Sequence, residues 1–318
     1  MTENHNKDFK VSIIGAGFVG ARTAYALMLR NIATEIVLID RNKSVSEAES
    51  LDIHCSLKGI CNCRVVAGDY CDIKDSDVIV VTCGRGRKLN ETRLDMVNDN
   101  VKIAKTVADE IKKYYTKGIV LIVSNPVDVI TYKMIEWLKL PKGTVFGTGC
   151  SLDSMRFTNA ISEYIGTQNF KKVDAMVIGE HGDSQVALWS TVNVDGMPID
   201  SFCASKKIAL DETIKQNLAN DTRTMSTSII AGKIRTNYGI ATSISNIIDA
   251  IKKDKKQVLS ASIDLSGEYG LFNLALSVPC VIGKNGVEKI LIEDLSATER
   301  QALERSAEII DLLRNYIK

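Results

Sequence analysis

The stretch Gly15-Ala16-Gly17-Phe18-Val19-Gly20 constrains this chain more than any other. It follows an apolar run at residues 9–14 and opens residues 21–29, whose spacing is helical, with Ala24, Leu27 and Met28 on one face. A second apolar run, residues 35–39, ends in Asp40, which stands 20 residues after the last glycine. A G-x-G-x-x-G string alone says little. Between a strand and a helix, with an acid at that distance, it specifies a strand–turn–helix–strand unit that binds a dinucleotide. The glycines allow a tight turn and close approach to a pyrophosphate, whose charge the helix N-terminus favours. Gly15, Gly17, Phe18, Val19 and Gly20 are therefore candidate cofactor positions. Asp40 would accept hydrogen bonds from an adenosine ribose and repel a 2′-phosphate, which selects NAD over NADP.

The alternation continues. Helical spacing at 45–57, 95–115 and 129–138 is interleaved with strand-like segments at 64–67, 78–83, 119–123 and 145–148. Almost fully apolar runs, such as 78–83, belong to parallel strands covered on both faces. The pattern predicts an α/β fold, a Rossmann doubly wound parallel sheet, over residues 1–149. Residues 150–318 change character and predict a mixed α+β substrate domain. Helices are expected at 151–164, 210–235 and 240–251, and strands at 175–178 and 190–194. The runs 258–263 and 275–282, the latter turned at Asn285-Gly286, should pair antiparallel. Ser296-Ala297-Thr298-Glu299 is a capping box for a terminal helix over 301–317.

Titratable residues gather at the ends of these strands. Of three histidines (His5, His54, His181), only His181 sits between acids and glycines directly after a buried run. Histidine titrates near neutrality and suits proton delivery to a reacting oxygen. Gly84, Arg85, Gly86, Arg87 and Lys88 lead a segment that runs to Arg93, glycine-hinged and basic, from a strand's carboxyl end. It reads as a mobile cationic lid over an anionic substrate. Asn125 also follows a strand end. Asp153 and Arg156 share a helical face, where the ordinary interpretation is a surface ion pair of little energetic worth.

A chain of 318 residues with 45% hydrophobic and 25% charged residues is an ordinary globular protein. A net charge of +1 argues against a general nucleic-acid binder. No apolar run approaches the ~20 residues that span a bilayer, and residues 1–10 lack the apolar core of a signal peptide. Eight cysteines without an export signal are expected to be reduced thiols, and Cys61-Asn62-Cys63 lacks a second pair at zinc spacing. The expectation is a cytoplasmic protein without a metal, a membrane or a nucleic-acid partner.

Several blocks in order resemble the L-lactate/L-malate dehydrogenase family: Gly15 to Gly20, Glu91-Thr92-Arg93-Leu94-Asp95, Ser124-Asn125-Pro126-Val127-Asp128, Gly147 to Phe157, and Gly179-Glu180-His181-Gly182-Asp183-Ser184. The resemblance implies an NAD-dependent dehydrogenase of a small 2-keto or 2-hydroxy acid. It implies that His181 donates a proton to the keto oxygen and that Asp153 orients the imidazole. Arg156 would clamp the substrate carboxylate, and Arg93 would polarise the carbonyl. Asn125 would bridge cofactor and substrate, Gly84 would line the cofactor site, and Ile240 would pack on the nicotinamide. A homodimer or homotetramer is usual in the family.

The position that discriminates substrates in the family, six residues before Arg93, is Arg87. Arginine there accompanies malate, because it pairs with a second carboxylate; facing the methyl of pyruvate it would lack a partner. Thr236 resembles the threonine opposite that methyl, and the wording of the blocks is closer to bacterial lactate dehydrogenases. The reading is lactate, with malate as the alternative. A dehydrogenase of a bulkier 2-hydroxy acid and a non-catalytic NAD-binding relative are the other readings. Some bacterial lactate dehydrogenases bind fructose 1,6-bisphosphate through an arginine and a histidine; the matching positions are Thr158 and Asp174, so no such activation is expected.

Overall fold

The computed structural model describes residues 8–56, 59, 61–86, 93–166, 172–233 and 235–316, with the backbone alone at 93–95. Six parallel strands, β1 (Lys10–Ile14), β2 (Glu35–Ile39), β3 (Arg64–Ala67), β4 (Val78–Val81), β5 (Ile119–Ile122) and β6 (Val145–Gly147), lie in the order β3-β2-β1-β4-β5-β6. Helices α1 (Phe18–Leu29), α2 (Lys43–Cys55), α3 (Arg93–Tyr114) and α4 (Val127–Leu138) connect them. Strand side chains alternate between faces, and the core divides accordingly. Val78, Val80 and Leu121 join one cluster with Ala24, Leu27 and Met28 of α1. Ile79, Val81, Val120 and Ile122 join the other with Ala104, Ala108 and Ile111 of α3 and Ile130 and Met134 of α4. The doubly wound sheet is thus covered on both faces.

The remaining elements are α5 (Ser151–Tyr164), β7 (Val173–Asp174), β8 (Val177–Ile178), β9 (Val186–Ala187), β10 (Asn193–Val194), β11 (Met197–Pro198), α6 (Ile199–Lys206), α7 (Glu212–Lys233), α8 (Tyr238–Lys252), β12 (Gln257–Ser266), β13 (Phe272–Gly283), β14 (Gly286–Ile290) and α9 (Ala297–Tyr316). The antiparallel pairing of β12 with β13 is as expected, but both strands are longer than their apolar runs. They also extend the parallel sheet: Ser262 of β12 pairs with Gly147 of β6, and the result is one sheet of nine strands. The strand expected at 190–194 is instead a 3-10 turn, Trp189–Thr191, followed by the two-residue β10. Trp189 there packs edge-on against Phe157, ring centroids 4.9 Å apart. The expected capping box closes α9: Glu299 Oε2 accepts the Ser296 N–H at 2.8 Å, and Ser296 Oγ accepts that of Glu299 at 3.3 Å.

Candidate active site

The glycine-rich turn is shaped by close approach. Gly15 has φ of +107°, and a Cβ there would lie 2.8 Å from both the Cys83 N and the Thr82 Oγ1. A Cβ on Gly20 would fall 1.9 Å from the Gly15 carbonyl oxygen, so α1 can start against β1 only without a side chain at that position. Gly17 differs: nothing lies within 4 Å of where its Cβ would stand. Its backbone therefore faces open space at the N-terminus of α1, where a phosphate can approach. Asp40 closes the far side, accepting the Ala16 N–H at 2.9 Å through Oδ2 and the Asn42 N–H at 2.9 Å through Oδ1. A cavity of about 520 Å³ is bounded by Gly15, Gly17, Asp40, Thr82, Gly84 and Arg85, among others. The open-faced Gly17, the tight turn at Gly15 and a carboxylate at the end of β2 fit the adenosine and pyrophosphate of NAD. Phe18 is 54% exposed, with the guanidinium groups of Arg22 and Arg235 at 5.3 and 5.7 Å from its ring centre. Val19 packs against the core.

Asn100 of α3, absent from the sequence-based site, ties two strand-end loops together. Its Oδ1 accepts the Arg85 N–H at 2.8 Å, and its Nδ2 donates to the carbonyls of Arg85 at 3.1 Å and Asn125 at 2.8 Å. The exposed Asn125 accepts the Val127 N–H at 3.2 Å through its side chain. Arg85 is anchored to Asp99, Nη2 to Oδ2 at 2.7 Å. Arg87 lies outside the described residues, as does the Arg93 side chain; Arg93 is the first residue of α3.

His181 follows β8 on a loop pinned at three points. Gly179 exchanges backbone hydrogen bonds with Ser277 of β13 at 2.8 and 3.1 Å, and the Glu180 N–H donates to Ser306 Oγ of α9 at 2.6 Å. Asp128 Oδ2 accepts the His181 N–H at 2.9 Å. From α5, Asp153 reaches His181 Nδ1 with Oδ2 at 2.7 Å and Arg156 Nη1 with Oδ1 at 3.2 Å. The Asp153–Arg156 pair is buried, 2% and 6% exposed, and is no surface ion pair. Arg156 Nη1 also donates to Ser226 Oγ of α7 at 2.8 Å.

With Nδ1 committed to a carboxylate, Nε2 is the histidine nitrogen left for a ligand, and about a quarter of the side chain is open. Burial disfavours the imidazolium, but the charge and hydrogen bond of Asp153 and the charge of Asp128 outweigh it and raise the His181 pKa. Burial opposes ionisation of Asp153 as well; His181 and Arg156 prevail and hold its pKa low. The arrangement can therefore keep a proton on Nε2 beside a fixed guanidinium. Thr236, half-buried, stands between α7 and α8 beside Arg235, whose guanidinium lies 3.7 Å from the Cβ position of Gly86 at the base of the basic segment. Ile240, in the first turn of α8, packs against the core. Asn100, Asp128 and Ser226 carry no signature of their own; only Asp128 lies within a recognisable block.

Residues 9–147 match the family model described as the NAD binding domain of lactate/malate dehydrogenase, and residues 150–317 match its alpha/beta C-terminal domain. The chain belongs to the lactate/malate dehydrogenase family. It is an NAD-dependent oxidoreductase whose substrates are keto and hydroxy acids. The L-lactate dehydrogenase of Thermoanaerobacter pseudethanolicus is 42% identical over 301 residues, 95% of this chain and 96% of that one. That of Clostridium perfringens is 38% identical over 304 residues, 96% of each. Among solved structures, the minor L-lactate dehydrogenase from Enterococcus mundtii superposes with a TM-score of 0.94 at 34% identity, covering 98% of this chain and 99% of that one. The L-lactate dehydrogenase from Clostridium thermocellum gives 0.83 at 40% identity, with the same coverage. Among the described residues, no helix is long and apolar enough to cross a membrane.

Proposed function

We propose that the chain is an L-lactate dehydrogenase that reduces pyruvate with NADH and a proton to L-lactate and NAD. The observation that carries the reading is Asp153, one buried carboxylate gripping His181 at 2.7 Å and Arg156 at 3.2 Å. The NAD-binding part is taken as residues 1–149 and the substrate part as 150–318. Gly15, Gly17, Phe18, Val19, Gly20, Asp40, Gly84, Asn125 and Ile240 hold the cofactor, which supplies the hydride when bound. His181 gives its Nε2 proton to the keto oxygen, while Asp153 holds the ring and balances its charge. Arg156 receives the substrate carboxylate with two parallel hydrogen bonds, a geometry that guanidinium provides and ammonium does not. Arg93 polarises the carbonyl as the lid closes, and Thr236 faces the pyruvate methyl.

Arg87 is the one feature that points toward malate; the relatives named above do not favour that alternative. The deciding measurement is kcat/KM for pyruvate and oxaloacetate with NADH, in the wild type and in Arg87→Gln. Pyruvate should lead in both. A wild type that prefers oxaloacetate, with the order reversed by the substitution, would make this a malate enzyme. Thr158 and Asp174 do not offer a bisphosphate two cations, and Lys172 is already paired with Asp174 at 3.0 Å. Fructose 1,6-bisphosphate is expected to leave the pyruvate KM unchanged. The protein acts in the cytoplasm as a homodimer or homotetramer.

A further inference from the structure

The chain lays β2 and β3 on one side of β1 and β4 to β6 on the other. The crevice at such a switch, here between β1 and β4, is where open α/β sheets take their ligands. Two loops flank it: the glycine turn after β1, with the exposed Phe18 at the start of α1, and residues 82–86 after β4. Arg235, from the substrate half, reaches both. Its guanidinium stands 5.7 Å from the centre of the Phe18 ring, and Nη1 and Nη2 each lie 3.7 Å from the Cβ position of Gly86. The segment leads into α8, whose Ile244, Ile247 and Ile248 share a core with Ala24, Leu27 and Met28 of α1, so it is fixed against the NAD-binding half. Among the described residues the Arg235 guanidinium has the Phe18 ring for company, but no acid and no hydrogen-bond acceptor. The cations around it are committed. Arg22 pairs with Glu49 at 3.4 Å, and Arg85 meets Asp99 at 2.8 Å through Nε and at 2.7 Å through Nη2. Lys233 donates to Asn237 Oδ1 at 2.7 Å. Arg41 adjoins Asp40, at the adenosine end of the cavity.

We infer that Arg235 binds the pyrophosphate of NAD, meeting it from the substrate half while the N-terminus of α1 meets it from the sheet. The inference rests on the glycine turn as the cofactor site. A pyrophosphate carries two negative charges, and the partial charge at a helix N-terminus offsets only a fraction of them. A guanidinium is planar and permanently charged, and its N–H groups form charge-assisted hydrogen bonds to phosphate oxygens. Contact with the Phe18 ring holds the side chain at the mouth of the crevice before the cofactor arrives. The carboxylate of a keto acid already has Arg156, from α5, so the cation without an anion falls to the cofactor.

Arg235→Gln removes the charge and keeps a polar side chain. Arg235 is exposed, so its replacement takes no buried contact from the fold. The dissociation constants of NADH, from fluorescence titration, and of ADP-ribose, from calorimetry, are expected to rise about tenfold in the variant. Adenosine has no phosphate, and as a competitor of NADH it should bind the variant as it binds the wild type. Added salt should narrow the gap between the two proteins, because an exposed charge is screened. Unchanged affinities for NADH and ADP-ribose overturn the inference. So does an equal loss for adenosine, which would place the effect in the turn at Phe18 rather than at a phosphate. A pyruvate KM that rises while NADH binds as before would assign Arg235 to the substrate carboxylate and overturn it too. Binding of NADH to the wild type tests the cofactor site, and the change in Arg235→Gln tests the arginine. The titrations contain no keto acid, so their outcome is separate from the choice of substrate.

Discussion

At His181 the local forces disagree, and their balance sets a direction for the chemistry. Burial favours the neutral ring; two carboxylates favour the cation and win. A raised pKa keeps the proton on the ring up to a pH above the ordinary 6.5. Pyruvate reduction consumes that proton, so kcat/KM should be flat at low pH and fall as pH rises through the folded-state value. Lactate oxidation needs the neutral ring and should rise through the same value. Asp153→Asn removes the larger of the two negative charges acting on His181, so both limbs should move to lower pH, with activity reduced. Steady-state pH profiles in both directions check this, and limbs that stay where they were would separate Asp153 from proton transfer. Arg156→Lys preserves charge but not the fork that meets a carboxylate with two bonds. Hydrogen bonds to charged groups contribute about 1.5–3 kcal/mol, so kcat/KM for pyruvate should drop about 10- to 100-fold with NADH affinity unchanged. Fluorescence titration of NADH alongside steady-state kinetics makes that separation.

Elements differ in how openly their sequences declare them. β2, β3 and α5 have the limits that their residues suggest, because a short cluster of aliphatic and β-branched residues marks a strand and a helix packed on one side repeats at its own period. The capping box before α9 is equally local, four consecutive residues closing on themselves. Ser296→Ala removes the acceptor for the Glu299 N–H and should lower stability by about 1 kcal/mol, read as a lower urea midpoint. An unchanged midpoint would mean that α9 is held by packing alone. Elements defined by distant partners were less legible. The stretch at 190–194 has strand-like composition, but Trp189 turns the chain to reach Phe157, and the expected strand becomes a 3-10 turn. β12 and β13 declare their pairing with each other, whereas the junction of β12 with β6 joins Ser262 to Gly147 across the whole substrate half. The candidate site divides in the same way. His181, Asp153, Arg156 and the glycine turn stand in blocks whose residue types announce their chemistry. Asn100, Asp128 and Ser226 act through hydrogen bonds to residues distant in the sequence.

At the scale of the molecule, one helix is out of keeping with the rest. α7 runs for 22 residues and buries only Thr222. Helices in proteins owe most of their stability to a packed apolar face, and this one leaves Ile230 half exposed. Tyr25 and Leu29 of α1 and Leu51 of α2 are also open to solvent, Leu51 to 65%. A second copy of the chain covering α7 would supply the missing contacts, in agreement with the proposed homodimer or homotetramer. The consequence reaches the substrate site, because Ser226 of α7 holds the Arg156 guanidinium at 2.8 Å. A helix that is firm only in the assembly would leave the carboxylate-binding arginine loose in the separated chain. Ile230→Glu places a charge in the proposed contact face and should shift the protein toward smaller species in light scattering coupled to gel filtration. The pyruvate KM should rise as the assembly dissociates, and activity should recover with protein concentration. NADH affinity, set by the glycine turn and Asp40 on the parallel strands, should change little. A variant that dissociates fully and keeps the wild-type pyruvate KM would show that α7 orders Arg156 without a partner.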